Sequence, residues 1–134
     1  MSSMIRYATL GSNDRLRAKA FYDAVLAPLG LKALHVDESF VGYGPASGDG
    51  PSQLYLCQPF NGEPASFGNG TMLALNADTR AAVDAAHAAA LAAGGQNEGA
   101  PGLRDYAPNF YAAYFRDLDG NKLALVCTAL TESL

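Results

Sequence analysis

The chain has 134 residues, of which 49% are hydrophobic and 16% are charged. This length and composition exclude a disordered chain and predict a single folded domain over residues 1–134 with a sizeable core. The net charge is −4, and Lys and Arg do not cluster, so nucleic acid is excluded as a predicted partner. No apolar run approaches the length of a membrane span and no signal core is visible, so we expect a cytoplasmic protein that does not enter a membrane.

The first half of the sequence predicts a strand, a helix and three further strands. Residues 5–11 are typical of a strand and run into a Gly-Ser-Asn turn. Asn13 or Asp14 can cap a helix over residues 15–27, where apolar residues recur at helical spacing and Pro28 ends the pattern. Three short strands are then predicted at residues 31–36, 39–43 and 53–58, and a Gly/Pro/Ser-rich loop separates the last two.

The second half repeats this order. After a Gly/Pro/Asn-rich linker, the pattern predicts a helix over residues 80–93 that Asp78 or Thr79 can cap and that Gly94 ends. The predicted strands cover residues 71–77, 96–98, 111–116 and 122–127, and an Asp-Gly turn joins the last two. A shift of about 65 positions places Tyr7 on Met72 and Arg15 on Arg80. Module one therefore covers about 4–60 and module two about 70–128.

Four segments carry a family resemblance, and they are Phe21 to Gly30, Arg80 to His87, Gly99 to Arg104 and Tyr111 to Asn121. Together they resemble the short glyoxalase-like branch of the vicinal oxygen chelate superfamily, which includes bleomycin-resistance and extradiol dioxygenase-like proteins. The resemblance covers nearly the whole chain. It implies an α+β fold in which two βαβββ modules form a curled mixed sheet around a central cavity. It also implies a homodimer, since dimers are common in that family.

Members of the family that use a metal draw ligands from the first and last strand of each module, usually His and Glu. The resemblance places these positions at Tyr7, Tyr55, Met72 and Ala124. Divalent ions such as Mg²⁺ and Mn²⁺ prefer carboxylate, imidazole or water as ligands. A neutral phenol is a weak ligand, a lone thioether is not a site, and alanine offers no donor. We therefore predict no metal and no other cofactor.

Strand alternation extends the predicted pocket beyond these four positions. Thr9 shares a strand face with Tyr7, and Ala74 shares one with Met72. Arg104, Tyr106 and Tyr111 are predicted at the pocket mouth, where Arg104 either recognises an anion or braces its loop through Asp105 or Glu98. Tyr111 and Tyr114 fall on opposite faces of one strand, so one belongs to the core and the other faces the cavity or a dimer contact. The full predicted pocket consists of Tyr7, Thr9, Tyr55, Met72, Ala74, Arg104, Tyr106, Tyr111 and Ala124.

Other motifs favour structural roles. His87 lies on the apolar stripe of the second helix, which is typical of a packed histidine. Asp117, Asp119 and Asn121 resemble the opening of a calcium loop, but the closing Glu and the central Gly are absent, so a hairpin turn is predicted. The sequence thus predicts a glyoxalase-like protein that binds a small organic molecule in an apolar and aromatic cavity without a catalytic metal. The alternative is a metal-dependent or tyrosine-assisted lyase, isomerase or dioxygenase, in which a phenol acts as general acid.

Overall fold

The computed structural model describes residues 4–130 and contains the same βαβββ unit twice. This repeated unit confirms the predicted α+β fold of two βαβββ modules. Module one comprises β1 (Ala8–Gly11), α1 (Arg15–Leu26), β2 (Leu31–Val36), β3 (Phe40–Pro45) and β4 (Leu54–Cys57). Module two comprises β5 (Leu73–Asn76), α2 (Arg80–Ala92), β6 (Gln96–Leu103), β7 (Tyr111–Arg116) and β8 (Lys122–Cys127).

Each module forms its own four-stranded mixed sheet. The strand order is β1-β4-β3-β2 in the first sheet and β5-β8-β7-β6 in the second. In both sheets the first and last strands of the module pair in parallel, and the remaining pairs are antiparallel. The sheets curl without closing, so β1 and β5 each keep one edge without a paired strand in the described chain.

Local capping chemistry sets the helix boundaries. The Asp14 carboxylate accepts the backbone N–H of Arg17 at 3.1 Å at the start of α1, and the Thr79 hydroxyl accepts that of Ala82 at 3.0 Å at the start of α2. A short 3₁₀ turn follows α1 and ends at Gly30, whose φ of 77° is easily reached by glycine. Within residues 4–130, no helix combines the length and apolar character that a bilayer crossing requires.

The core lies where the two modules meet. The helices pack on each other, while α1 also packs on the first sheet and α2 on the second. Phe21 of α1 reaches Phe115 of β7 with ring centroids 6.0 Å apart, and both side chains are buried. Because the helices cover one face of each sheet, the opposite, concave faces point away from the core.

A buried hydrogen bond joins the modules at the β7–β8 turn. The hydroxyl of Tyr22 on α1 donates to Asp117 Oδ2 at 2.6 Å, and both residues are buried. Burial and the adjacent carboxylate raise the pKa of Tyr22 well above its usual value, so the phenol keeps its proton. Asn121 of the same turn donates to the carbonyl of Gly11 at 3.0 Å. The predicted hairpin turn is confirmed, and it also docks module two on the end of β1.

The structure corrects the prediction at β6. The Gly99 to Leu103 segment, expected to be a loop after a three-residue strand, continues as strand and pairs with β7. The register shifts between Asn97 and Gly99 and again between Gly99 and Gly102. Glycine and proline are tolerated there because β6 is an edge strand, where bulges and missing donors cost little.

Candidate functional site

The concave face of the first sheet forms a pocket of about 1530 Å³, here called the module-one pocket. Its centre is aromatic, since Tyr7 and Phe40 both meet the Tyr55 ring edge-to-face, with centroids 5.3 and 6.0 Å apart. Gly42 lies under this ring, and a Cβ there would come within 2.7 Å of it. Other lining residues are Thr9, Gly11, Ser12, Asn13, Arg15, His35, Glu38, Cys57 and Phe60.

The hydroxyls of Tyr7 and Tyr55 make no hydrogen bond within the described residues. Each phenol therefore has a donor and an acceptor available to a ligand. Among the residues that the structure describes, no carboxylate or imidazole is hydrogen-bonded to either hydroxyl.

His35 lines this pocket and meets a carboxylate beside it. His35 Nε2 lies 2.6 Å from Asp37 Oδ2 in an exposed pair. The backbone N–H of Phe40, the His35 ring and the backbone N–H of Ser39 lower the pKa of Asp37 to about 2. These bonds close the turn between β2 and β3, so His35 and Asp37 hold the wall of the pocket in place.

Cys57 lines the module-one pocket and is partly buried. Cys127 lies on β8 of the second sheet and is fully buried in the core. Burial raises the pKa of the Cys57 thiol, so less of it is ionised at neutral pH than in a free cysteine. The environment does not activate this thiol as a nucleophile.

A second pocket, here called the module-two pocket, lies on the concave face of the second sheet and has a volume of about 510 Å³. Tyr106 and Phe110 meet edge-to-face at its mouth, with centroids 5.4 Å apart. Two cations lie against the Tyr114 ring, with the Arg104 guanidinium carbon 5.5 Å and Lys122 Nζ 5.8 Å from its centroid. The other lining residues are Met72, Glu98 and Gly99.

The structure divides the predicted pocket residues between these two faces. Tyr7, Thr9 and Tyr55 line the module-one pocket. Met72, Arg104 and Tyr106 line the module-two pocket. The four predicted ligand positions therefore do not converge on one hollow within a single described chain, because the helices separate the two sheets.

The two predicted alanines lie in the second sheet beside the module-two pocket and do not line it. Ala74, Ala124 and Tyr114 occupy one row across β5, β8 and β7. Cross-strand neighbours share a face, so both alanines lie on the concave side with Tyr114. Ala124 is buried there, while Ala74 is exposed.

Tyr111 lies away from the pocket mouth, which corrects the prediction for this residue. Its side chain packs against the core on the helix side of β7, and its hydroxyl donates to Asp84 Oδ1 on α2 at 2.6 Å. That bond, ahead of burial, raises the pKa of Tyr111. Tyr114, on the other face of the same strand, is the tyrosine that lines the pocket.

The sequence prediction missed several pocket residues, including Phe40, Glu98 and Phe110. Phe40 begins β3, which pairs with the strand that carries Tyr55, and alternation along β3 would have identified it once the strand pairing was known. Glu98 and Phe110 reach the pocket through the bulged β6 and the loop after it, where alternation carries no information.

Comparison with known proteins identifies the family. A family model described as the glyoxalase/bleomycin resistance protein/dioxygenase superfamily matches residues 5–125. The chain belongs to this superfamily. A search of curated protein sequences found no match.

Several solved structures share the fold of this chain. A glyoxalase/bleomycin resistance protein from Albidiferax ferrireducens is 38% identical, with a TM-score of 0.82 over 93% of this chain and 98% of that one. A family enzyme from Burkholderia phytofirmans is 20% identical, with a TM-score of 0.70 over 95% and 100% of the two chains. An antibiotic binding protein from a Streptomyces species is 22% identical, with a TM-score of 0.65 over 96% and 98%.

The metal that some glyoxalase-superfamily members hold does not fit the side chains present here. Tyr7 and Tyr55 pack edge-to-face with each other, Met72 lies on the other sheet, and Ala124 has no donor atom. Within residues 4–130, no three His, Cys, Asp or Glu side chains come together in a way that could hold a metal ion. Phenol and thioether groups are poor partners for hard divalent cations.

Proposed function

We propose that the protein binds a small organic molecule, without a catalytic metal, in a cavity formed between two copies of the chain. The observation that carries this proposal is the module-one pocket, which three packed aromatic rings line and where two phenol hydroxyls stay available. Apolar walls with a few placed polar groups are typical of small-molecule sites. The antibiotic binding protein of the same fold supports ligand binding as a use of this scaffold.

The chemistry of the family ligand positions supports a site that works without a metal. Phenol, thioether and methyl groups replace the usual His and Glu, and a ligand here would be held by shape and hydrogen bonds. Neutral side chains also avoid the cost of burying an unpaired charge beneath a bound molecule.

The exposed side chains beside β1 and β5 support a second copy of the chain as the partner that closes the cavity. Ile5 and Tyr7 precede β1 and are 84% and 55% exposed, and Met72 precedes β5 and is 45% exposed. Both strands have an edge without a pairing strand in the described chain, and such edges are usually covered. In the proposed two-fold dimer, module one of each copy lies against module two of the other, and two equivalent cavities are closed.

Sedimentation velocity tests the oligomeric part of the proposal with a matched pair of variants. Ile5→Glu places a charge on the predicted contact, while Leu16→Glu places one on the exposed surface of α1, where Leu16 is 62% exposed. We expect a dimer for the unmodified protein and for Leu16→Glu, and a monomer for Ile5→Glu. A monomer in every sample would overturn the shared cavity.

Protection of Cys57 from alkylation tests ligand binding. Cys57 lies in the module-one pocket and Cys127 is buried, so iodoacetamide at about pH 8.5 should label Cys57 first, once enough thiolate forms. A panel of small aromatic compounds that includes 2-naphthalenemethanol and 2-naphthoate should contain compounds that slow this labelling and raise the melting temperature. In Cys57→Ser, the remaining thiol should react only on unfolding. If no compound in the panel has either effect, the binding proposal fails.

A further inference from the structure

The Arg104 guanidinium is held in a cradle on the concave face of the second sheet. Nη2 donates to the carbonyl of Ala100 at 2.7 Å, and the group stacks over Tyr114. Two glycines of β6 leave the space that it fills. A Cβ at Gly99 would lie 3.3 Å from Nη2 and one at Gly102 would lie 3.0 Å from Nη1. Arg104 is therefore held by backbone carbonyls, and not by Asp105 or Glu98 as the bracing alternative predicted.

This arrangement leaves most of the guanidinium without a protein acceptor. Its hydrogen bonds go to the carbonyls of Ala100 and Leu103, the latter long at 3.5 Å. A guanidinium has five N–H donors, so the remaining ones are available at a position that the stack and the cradle have already ordered. Within the described residues, no carboxylate lies within salt-bridge distance of Arg104.

Lys122 adds a second positive charge to the same pocket. It lies on β8, next to Tyr114 on β7, and its Nζ contacts the same ring. Like Arg104, it has no carboxylate partner among residues 4–130. Two cations that share one ring repel each other, and an anion bound between them would relieve that repulsion.

Glu98 is the acidic group that lines this pocket, and it faces a cation of its own. Its Oε1 lies 3.8 Å from Arg116 Nε, on the neighbouring strand β7. With Glu98 paired in this way, the charges that remain without a partner in the pocket are both positive. The apolar side chains Met72, Tyr106 and Phe110 complete the lining.

We propose that the module-two pocket recognises the anionic group, a carboxylate or a phosphate, of a small organic molecule whose apolar body packs on Tyr106 and Phe110. Arg104 binds two oxygens through its fork, and Lys122 contributes a point charge. This inference rests on the proposed function, because it defines the chemical class of the ligand.

Isothermal titration with three naphthalene compounds tests the inference. The probes are 2-naphthoate, 2-naphthyl phosphate and the neutral 2-naphthalenemethanol, which share one apolar body. We expect at least one anion to bind about tenfold or more tightly than the alcohol, since charge-assisted hydrogen bonds are strong. The preference should decrease as salt is raised. The two anions distinguish a carboxylate site from a phosphate site.

Two variants assign the effect to these side chains. Arg104→Met and Lys122→Met should each reduce the preference for the anion, while Arg17→Met, which removes an exposed charge on α1, should leave it unchanged. Equal binding of anions and alcohol would overturn the anion inference and leave the proposed function standing. Anion binding that neither pocket variant alters would also overturn it. If none of the three probes binds, both proposals fail.

Discussion

A single side chain can hold the turn that forms one wall of a pocket in this protein. Asp37 illustrates this, because its carboxylate accepts the backbone N–H groups of Ser39 and Phe40 at 2.7 and 2.8 Å and meets His35. The three contacts close the turn between β2 and β3 without a buried core beneath it. The wall of the module-one pocket thus depends on an exposed carboxylate in its ionised form.

Because folding lowers the pKa of Asp37 to about 2, the turn should make stability depend on pH. An unfolded Asp titrates near about 3.9, so the contribution is fully present above about pH 5 and is lost as the pH falls from about 4 to about 2. We expect Asp37→Asn to be less stable than the unmodified protein at pH 6 and to converge with it near pH 2. Urea unfolding across this range measures the difference. A constant gap would contradict the prediction.

Among the elements, the β7–β8 turn has a wider role than joining two strands. Its Asp117 and Asn121 bond to Tyr22 and Gly11 of module one, and Gly120 at its tip lies beneath Phe67 of the linker. Gly11, which accepts one of these bonds at the end of β1, also lines the module-one pocket. The second module therefore supports the pocket of the first.

Substitution of Gly120 at this turn, compared with substitution of Gly48 elsewhere, separates the cost of backbone strain from the cost of displacing Phe67. Gly120 and Gly48 have similar φ values of 87° and 82°, but a Cβ at Gly120 would lie 2.6 Å from the Phe67 ring, while one at Gly48 meets nothing within 4 Å. Each change to Ala should cost about 1 kcal/mol of unfolding free energy from the left-handed backbone. Gly120→Ala should cost about 0.5 to 1 kcal/mol more, because Phe67 must leave the Arg116 guanidinium 5.0 Å above it. Equal losses in urea unfolding would show that the Phe67 contact contributes nothing.

At the scale of the whole molecule, the two pockets face away from the core on separate sheets. Tyr55 lines the module-one pocket, and Arg104 lines the module-two pocket. In the proposed dimer, each cavity is formed by module one of one copy and module two of the other. A substitution in module one therefore damages one half of a cavity, and a substitution in module two damages the other half. Mixed dimers can then contain one undamaged cavity.

This arrangement predicts complementation between Tyr55→Ala and Arg104→Met. Each variant alone should lose most of its binding of 2-naphthoate, since every cavity contains the defect. When the two are unfolded and refolded together, random pairing should restore about a quarter of the sites. Titration of the mixture measures the recovered stoichiometry, and circular dichroism of each parent confirms folding. No recovery would place both halves of the site within one chain or in independent pockets.

Local chemistry determined much of this protein from its sequence. The repeated βαβββ order, the cap at Thr79 and the hairpin turn at Asp117 each depend on residues close together in the chain. Strand alternation also placed Tyr111 and Tyr114 on opposite faces of β7. These features follow from backbone periodicity and short-range hydrogen bonding, which need no distant partner.

Only the tertiary structure decided how these pieces share a site. Gly99 and Gly102 read as loop residues, yet pairing with β7 turns them into a bulged strand that cradles Arg104. The helices pack between the sheets, and this separates Tyr55 from Met72, which the family resemblance had placed at one site. Such outcomes depend on which surfaces pack across the modules, and packing between residues far apart in the chain leaves no periodic trace in the sequence.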